Sequence, residues 1–599
     1  MLIHCTFAKT NSKLFEMKQF FKFMFASMLG TFLTLVVLFF ILLGIVAGVV
    51  SMASKDEVKV SPNSVLVVRL DQPISDRSPK MPFLMAGLDG VMGLNDVTKS
   101  LKKAADDENI KGILLDLSDI PAGIATIEEV RDALVAFRES GKFIYAYSNS
   151  YTQPAYYLAT AADKIFMNPQ GNFDFRGVVA QAIFFKGTLD KLNVKVKVVR
   201  HGKYKSAIEP FVNDKMSDAS REQMTALAQS AWTRMLEAIS KSRNIDVAVL
   251  NAIADSLKIR SGEDAVKHKF VDQLMYKDEL IAFLKDRIGV DKESSIHSVS
   301  LENYKHVLRD RKETIDRKNR IAVIYASGTI MNGKSDDGQI GAETFSKAIR
   351  KAREDKRVKA VVIRVDSPGG DALASEIIWR EVDLTSKVKP VVASFGDVAA
   401  SGGYYISCAA DTILAEAGTI TGSIGVFGLV PNFKGFLGDK LGITTDLVKT
   451  NKHSDLMNLA DEMPAFQEAY LQHEVEQIYQ VFIQHVAEGR GIPVSKVDSI
   501  GQGRVWSGSD ALQIGLIDKI GTLDDAIKIA ADMAKIKNYL VVDLPEQRDP
   551  IQMLIKGFTD DDIMLKKSLG EYYGYFEYVK SLEKMQGVQA RMPFLIEWQ

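Results

Sequence analysis

The chain has 599 residues, room for several domains, with 25% charged and 46% hydrophobic residues, an ordinary globular balance. Its formal net charge of −1 gives no electrostatic footprint for a polyanion, so no nucleic-acid partner is expected. Cys5 and Cys408 are the only cysteines, which excludes a disulfide framework and a CxxC metal motif.

Residues 1–22 carry Lys9, Lys13, Lys18 and Lys22 against Glu16, and residues 23–54 hold no charge at all. About 20 apolar residues cross the hydrocarbon core. This run is longer than the apolar region of a cleavable signal peptide, so it reads as an uncleaved transmembrane anchor. The lysine excess places residues 1–22 in the cytoplasm and the rest of the chain outside, which in a bacterial cell is the periplasm. Met17-Lys18-Gln19 offers a second natural start.

Two α/β repeats follow, residues 60–304 and 320–545. The first opens with the strand SVLVVRLDQPI at Ser64 and the second with RIAVIYASGTI at Arg320. Each continues through a polar helix to a buried strand, GILLDL at 112–117 and AVVIRV at 360–365, then to FIYAYS at 143–148 and PVVASF at 390–395. Continuous apolar runs bounded by turns suit strands covered on both faces, and their alternation with helices gives an α/β fold built twice. Ser261-Gly-Glu-Asp-Ala265 matches Ser507-Gly-Ser-Asp-Ala511. Between the repeats, residues 305–320 form a charged, solvated linker. Beyond them lies a tail, 546–599, whose Tyr572, Tyr573, Tyr575, Phe576 and Tyr578 read as packing against a neighbour or a partner subunit.

The repeats differ where chemistry is expected. In one frame Tyr404-Tyr405 falls on Tyr156-Tyr157 and Ala410-Asp411 on Ala162-Asp163, but Ser401-Gly402-Gly403 falls on Gln153-Pro154-Ala155. Ser401 stands at the predicted start of a helix. It reads either as an N-cap or as a nucleophile favoured by the helix dipole. Asp366-Ser-Pro-Gly369-Gly370 follows a strand, where glycine amides can face a ligand and form an oxyanion hole. Thr421-Gly-Ser423-Ile-Gly425 puts a second hydroxyl nearby.

A serine nucleophile needs a base. His201, His268, His453, His473 and His485 sit in no triad motif. Followed further with a one-residue shift, the repeat frame sets first-half Lys205 opposite Ser454. Lys203 and Lys205 are both candidates, since burial and the nearby cations Arg200 and His201 would lower a lysine pKa from about 10.4. Glu209 pulls the other way if it points inward.

The segments Gly202–Phe211, DSPGG, AASGGYY and TGSIG together resemble the signal peptide peptidase A family in its long two-repeat form. The resemblance implies a Ser/Lys-dyad endopeptidase with a fold related to Clp protease and the crotonases. It assigns Ser401 as nucleophile, Lys205 rather than Lys203 as general base, Ser423 as the serine that holds the lysine, and Gly369 and Gly370 as the oxyanion turn. It further implies a homotetramer, peptide substrates such as cleaved signal peptides, and an inner-membrane location with the catalytic part periplasmic. No cofactor or metal is implied. The rivals are a crotonase-like acyl-CoA enzyme and a non-catalytic membrane scaffold.

Overall fold

The computed structural model describes residues 4–53, 59–78, 92–307, 316–335, 338–547 and 588–592. The aromatic cluster of the tail lies outside these, as does the middle of the charged linker. The N-terminal unit is the helix His4–Ala53, which begins well before the charge-free run. Within it Gln19–Ile41 has a mean hydropathy of 2.3 and is long and apolar enough to cross a membrane.

The second unit holds both repeats. The first-half sheet runs, in spatial order, Gln273–Leu274, Lys164–Met167, Phe143–Ser148, Ile110–Asp116, Ser64–Val68 and Ser298–Ser300, all parallel. The second half repeats that order with Lys519–Ile520, Thr412–Ala415, Val391–Ala400, Val358–Ser367, Arg320–Ser327 and Leu540–Leu544. Such strands are buried on both faces, which is why they read as unbroken apolar runs. The shared Ser-Gly-x-Asp-Ala turn is a helix start in both halves. Ser261 accepts from Asp264 N–H and Ser507 from Asp510 N–H, an N-cap each time.

A third sheet joins the halves, in the order Gln339–Gly341, Thr329–Met331, Gly369–Asp371, Val588–Arg591, Val426–Asn432 and Lys195–His201. Its last pair is an antiparallel ladder from Val426↔His201 to Asn432↔Lys195. The ladder ends one residue before Gly202 on one side and one residue after Gly425 on the other. It therefore delivers the segment carrying Lys205 to the turn carrying Ser423.

The repeat frame fails here. Its counterpart to the lysine segment, near Val448–Asp455, forms no strand, and Val448 is fully exposed. Lys195–His201 is extended because a second-half strand pairs with it. No described strand does the same for residues 444–450.

The interface between halves also contains charge. Arg364, on the central second-half strand, donates to first-half Asp76 (2.8 Å) and Glu129 (3.1 Å), and is 1% exposed. Thr126 donates through N–H and Oγ1 to Asp397, and Gly418 N–H donates to Glu128. The helix Ile124–Arg138 thus presents both Glu128 and Glu129 to the second half.

Candidate active site

Ser401 follows directly on the strand Val391–Ala400 and precedes a single helical turn, Gly402–Tyr405. Its backbone stands at φ 56°, ψ −113°, and its side chain makes no capping bond. The N-cap reading is therefore wrong. The helix-dipole reading also loses most of its force, because one turn of helix sums few peptide dipoles. A non-glycine residue held at positive φ costs on the order of 1–3 kcal/mol and persists only where its surroundings fix it. Here Ser401 N–H donates to Gly422 O (2.8 Å), and Tyr405 N–H donates back to Ser401 O.

Lys205 is completely buried, and its Nζ lies 2.8 Å from Ser401 Oγ, 3.0 Å from Ser423 O and 3.0 Å from Ser423 Oγ. Burial alone holds its amine well below the ordinary 10.5. The neighbouring cations anticipated from sequence add nothing. Lys203 is exposed over the Tyr204 ring, and His201 stacks on Tyr479. Glu209 is buried too, but its carboxylate accepts from Ser217 N–H and Oγ. A neutral amine has two N–H donors and one lone pair. Ser423 O accepts one N–H and Ser423 Oγ the other, which leaves the lone pair for the Ser401 hydroxyl to donate into.

The second half builds the walls of this pocket. Tyr204 N–H donates to Gln502 O. A Cβ at Gly503, whose φ is +77°, would stand 2.6 Å from Lys205 N, so the lysine backbone fits only against glycine. Gln223 braces the segment by donating to Tyr204 O and Ser206 Oγ. Sequence reading missed Gln223, Gln502 and Gly503, which belong to no motif and are brought to the site by the fold.

Gly369 sits at φ +95° and its N–H donates to Ser367 Oγ (3.1 Å), while Gly370 lies opposite Ala590 in the sheet. A Cβ on Gly369 would stand 2.1 Å from Ala590 O and 2.6 Å from Gly402 N. Gly402 was also missed as a donor. Its amide, one residue after Ser401, faces the same small space as the glycine turn.

In the first half, Gln153 takes the place of Ser401. Its Oε1 accepts from Arg176 and Gly177 N–H and its Nε2 donates to Gly177 O, so the counterpart site is stapled shut. None of the five candidate histidines named from the sequence hydrogen-bonds Ser401. His485 stacks on Trp379 and contacts Glu376, and His453 stacks on Phe466.

A strained serine on a strand-to-helix turn of a repeated parallel α/β sheet, with a desolvated amine at hydrogen-bond distance, defines the class as a serine hydrolase. The family model described as Peptidase family S49 matches residues 136–291 and 383–537, one segment in each half. "Protease 4" of Haemophilus influenzae is 36% identical over 79% of this chain and 77% of its own length. "Protease 4" of Salmonella typhi is 37% identical over 78% and 76%, and "Serine protease SPPA, chloroplastic" of Arabidopsis thaliana is 32% identical over 89% and 78%. The chain belongs to Peptidase family S49 and is a serine peptidase.

Proposed function

We propose that this chain is a membrane-anchored endopeptidase that uses a Ser401–Lys205 dyad to degrade cleaved signal peptides and other apolar peptides. The observation that carries the reading is the buried Lys205 Nζ, 2.8 Å from Ser401 Oγ. Ser401 Oγ attacks the peptide carbonyl and Lys205 takes its proton. Ser423 holds the amine with its lone pair on Ser401. The amides of Gly369, Gly370 and Gly402 border the space where the oxyanion develops. Protonated Lys205 then gives its proton to the leaving amine, and on the return step the amine deprotonates the water that releases the acyl group.

The helix Gln19–Ile41 supports a single membrane pass. With the lysines before it, that gives a cytoplasmic N-terminus and a periplasmic peptidase body on the inner membrane. Peptides left in that membrane are apolar, the substrates such a site would meet.

Four copies closing into a ring account for two unpaired segments. Gly177–Gly187 stands in the repeat frame where Gly425–Gly435 stands in the second half, yet it forms no strand through 184, and Val179 (61%) and Ile183 (45%) are exposed. Residues 444–450 stand where Lys195–His201 stands, also without a strand partner. Pairing these segments between copies repeats, at each junction, the ladder seen within the chain. Such junctions carry Gln153 and Ser454, so each copy has one active site. Light scattering on the detergent-solubilised chain is expected to give the mass of four chains, and a monomer would contradict the ring.

The activity itself is tested with wild type and Ser401→Ala, offered an apolar peptide, an acyl-CoA and a fluorophosphonate. Wild type is expected to cleave the peptide and take one label at Ser401, and Ser401→Ala to do neither. Turnover of the acyl-CoA without peptide cleavage would overturn the reading.

A further inference from the structure

Both ends of the Lys205 side chain are held, directly or through one neighbour, by a short second-half segment, residues 501–506. At the backbone end, Tyr204 N–H donates to Gln502 O (2.8 Å). At the amine end, Lys205 Nζ donates to the carbonyl and hydroxyl oxygens of Ser423, and Ser423 N–H donates in turn to Arg504 O (2.7 Å). Gly503 N–H donates to Ile424 O (2.7 Å). Beyond it, Val505 and Trp506 pair with Gly422 and Thr421 in an antiparallel ladder. Ser423 stands at φ 49° and Gln502 at φ 51°. Such backbone persists only where its surroundings over-determine it. For Ser423 the surroundings include the Arg504 carbonyl.

The Arg504 side chain reaches into the first half. Its guanidinium lies over the Tyr204 ring, 5.0 Å from the centroid, and over the Trp506 ring at 4.3 Å. Its Nη1 donates to Glu222 Oε1 (2.9 Å), and the Tyr204 hydroxyl donates to Glu222 Oε2 (3.1 Å). Glu222 stands on the first-half helix Asp218–Arg243, beside Gln223, whose Oε1 accepts from Val505 N–H. Arg504 Nε is buried and finds no hydrogen-bond partner among the described residues. The two ring faces and the Glu222 carboxylate therefore hold the group. A planar guanidinium stacks on rings in this way and an ammonium does not.

We propose that Arg504 is a positioning residue for the general base: its carbonyl fixes Ser423, its guanidinium fixes Tyr204, and together they set where the Lys205 amine stands relative to Ser401 Oγ. The inference rests on the Ser401–Lys205 reading. Arg504 acts through its two neighbours, since its own bonds run to Ser423, Tyr204 and Glu222. Without the side chain, the strained Ser423 turn and Tyr204 lose a common anchor. The amine then loses its fixed pair of acceptors, and its lone pair is no longer aimed at Ser401. A displacement of about 1 Å at a reacting group can cost roughly 100-fold in rate.

The test uses the anchored full-length chain as wild type, Arg504→Met, Arg504→Lys, Glu222→Gln and Lys205→Met. Two quantities are read: the rate of Ser401 labelling by a fluorophosphonate against pH, and kcat and KM for a short apolar peptide. Arg504→Met is expected to label about 10- to 100-fold more slowly at neutral pH and to lose kcat with KM unchanged. Its pH midpoint is expected to move up towards the ordinary lysine value, because a loosened pocket lets water reach the amine that burial now holds down. Arg504→Lys keeps the charge beside Glu222 but not the flat face, and is expected to fall between wild type and Arg504→Met. Glu222→Gln changes a half-exposed side chain and carries the test if the Arg504 variants do not fold. It is expected to slow labelling a few-fold, with the midpoint moving the same way. Wild-type rate and midpoint in Arg504→Met and Glu222→Gln, with Lys205→Met slow, would overturn the proposal and leave the dyad standing. A raised KM with kcat unchanged would also overturn it, by making Arg504 a peptide contact. Labelling of Lys205→Met as fast as wild type would sink the dyad reading and this inference with it.

Discussion

Lys205→Met is expected to lower kcat/KM by about 10³-fold or more, the upper range for losing a positioned general base. The substitution keeps the apolar stem and removes only the amine that faces Ser401 Oγ and Ser423. Lys205→Arg is expected to be as inactive, because a guanidinium does not deprotonate and offers no lone pair. Stability moves the other way. Burial depresses the folded amine pKa below its unfolded value. Whatever stability this group contributes is present above the unfolded pKa and is lost as pH falls through the folded one. At neutral pH the buried amine therefore opposes folding, and Lys205→Met is expected to hold or raise the Tm. A variant that lost activity only because it unfolded would show the opposite. In wild type, activity should rise with pH as the amine loses its proton, with a midpoint below the ordinary lysine value.

Arg364→Met is expected to cost about 3–5 kcal/mol of stability, the usual loss when one partner of a buried ion pair is removed. Burial opposes the guanidinium's charge, but Asp76 and Glu129 outweigh it and hold its pKa above the ordinary value. Without Arg364 those carboxylates stay buried against one another. Asp366, already pushed up to about 8 by burial and by Asp76 and Asp397, loses a cation that favours its ionised form. Glu416 nearby is pushed up to about 9 by burial and the surrounding carboxylates, and its Oε1 has no hydrogen-bond partner. For both acids the folded pKa exceeds the unfolded one. Their contribution is fully present below about pH 4 and is lost as pH rises through 8 to 9. The deficit of Arg364→Met should therefore be smaller at pH 5 than at pH 8 in denaturant melts. The triple variant with Asp76→Asn and Glu129→Gln should recover most of it. A deficit under about 1 kcal/mol would mean that this cluster does not hold the halves together.

Much of this was legible in the chain, and the reason differs from residue to residue. The strands of both repeats announce themselves because parallel strands buried on two faces are apolar throughout. Comparing the repeats singles out Ser401 and the lysine segment, since each half has lost what the other keeps, but the choice of Lys205 over Lys203 comes from the family resemblance. The structure brings the two side chains together across 196 residues. Arg364 was hidden inside the run AVVIRV, where its charge looked incidental. Its meaning lies in two carboxylates from the other half. Gln223, Gln502 and Gly503 bear no motif, because their task is to fit a backbone that arrives from elsewhere. Val588–Met592 was read as part of an undistinguished tail. Nothing local says that a five-residue stretch will find two strand edges separated from it by about 160 residues or more of chain. The helix expected to start at Ser401 is a single turn for a related reason. The AASGGYY run looks like a helix start, but the turn is fixed by Gly422 O and stops after four residues.

The central claim is that a neutral Lys205, supplied by the first half, activates Ser401 of the second. Its most direct test is the rate of Ser401 labelling by a fluorophosphonate as a function of pH, in wild type and in Lys205→Met. The account predicts a wild-type rate that climbs with pH to a plateau, with a midpoint well below 10.5, and a slow, nearly pH-independent rate in the variant. The same pH curve in both proteins would contradict it.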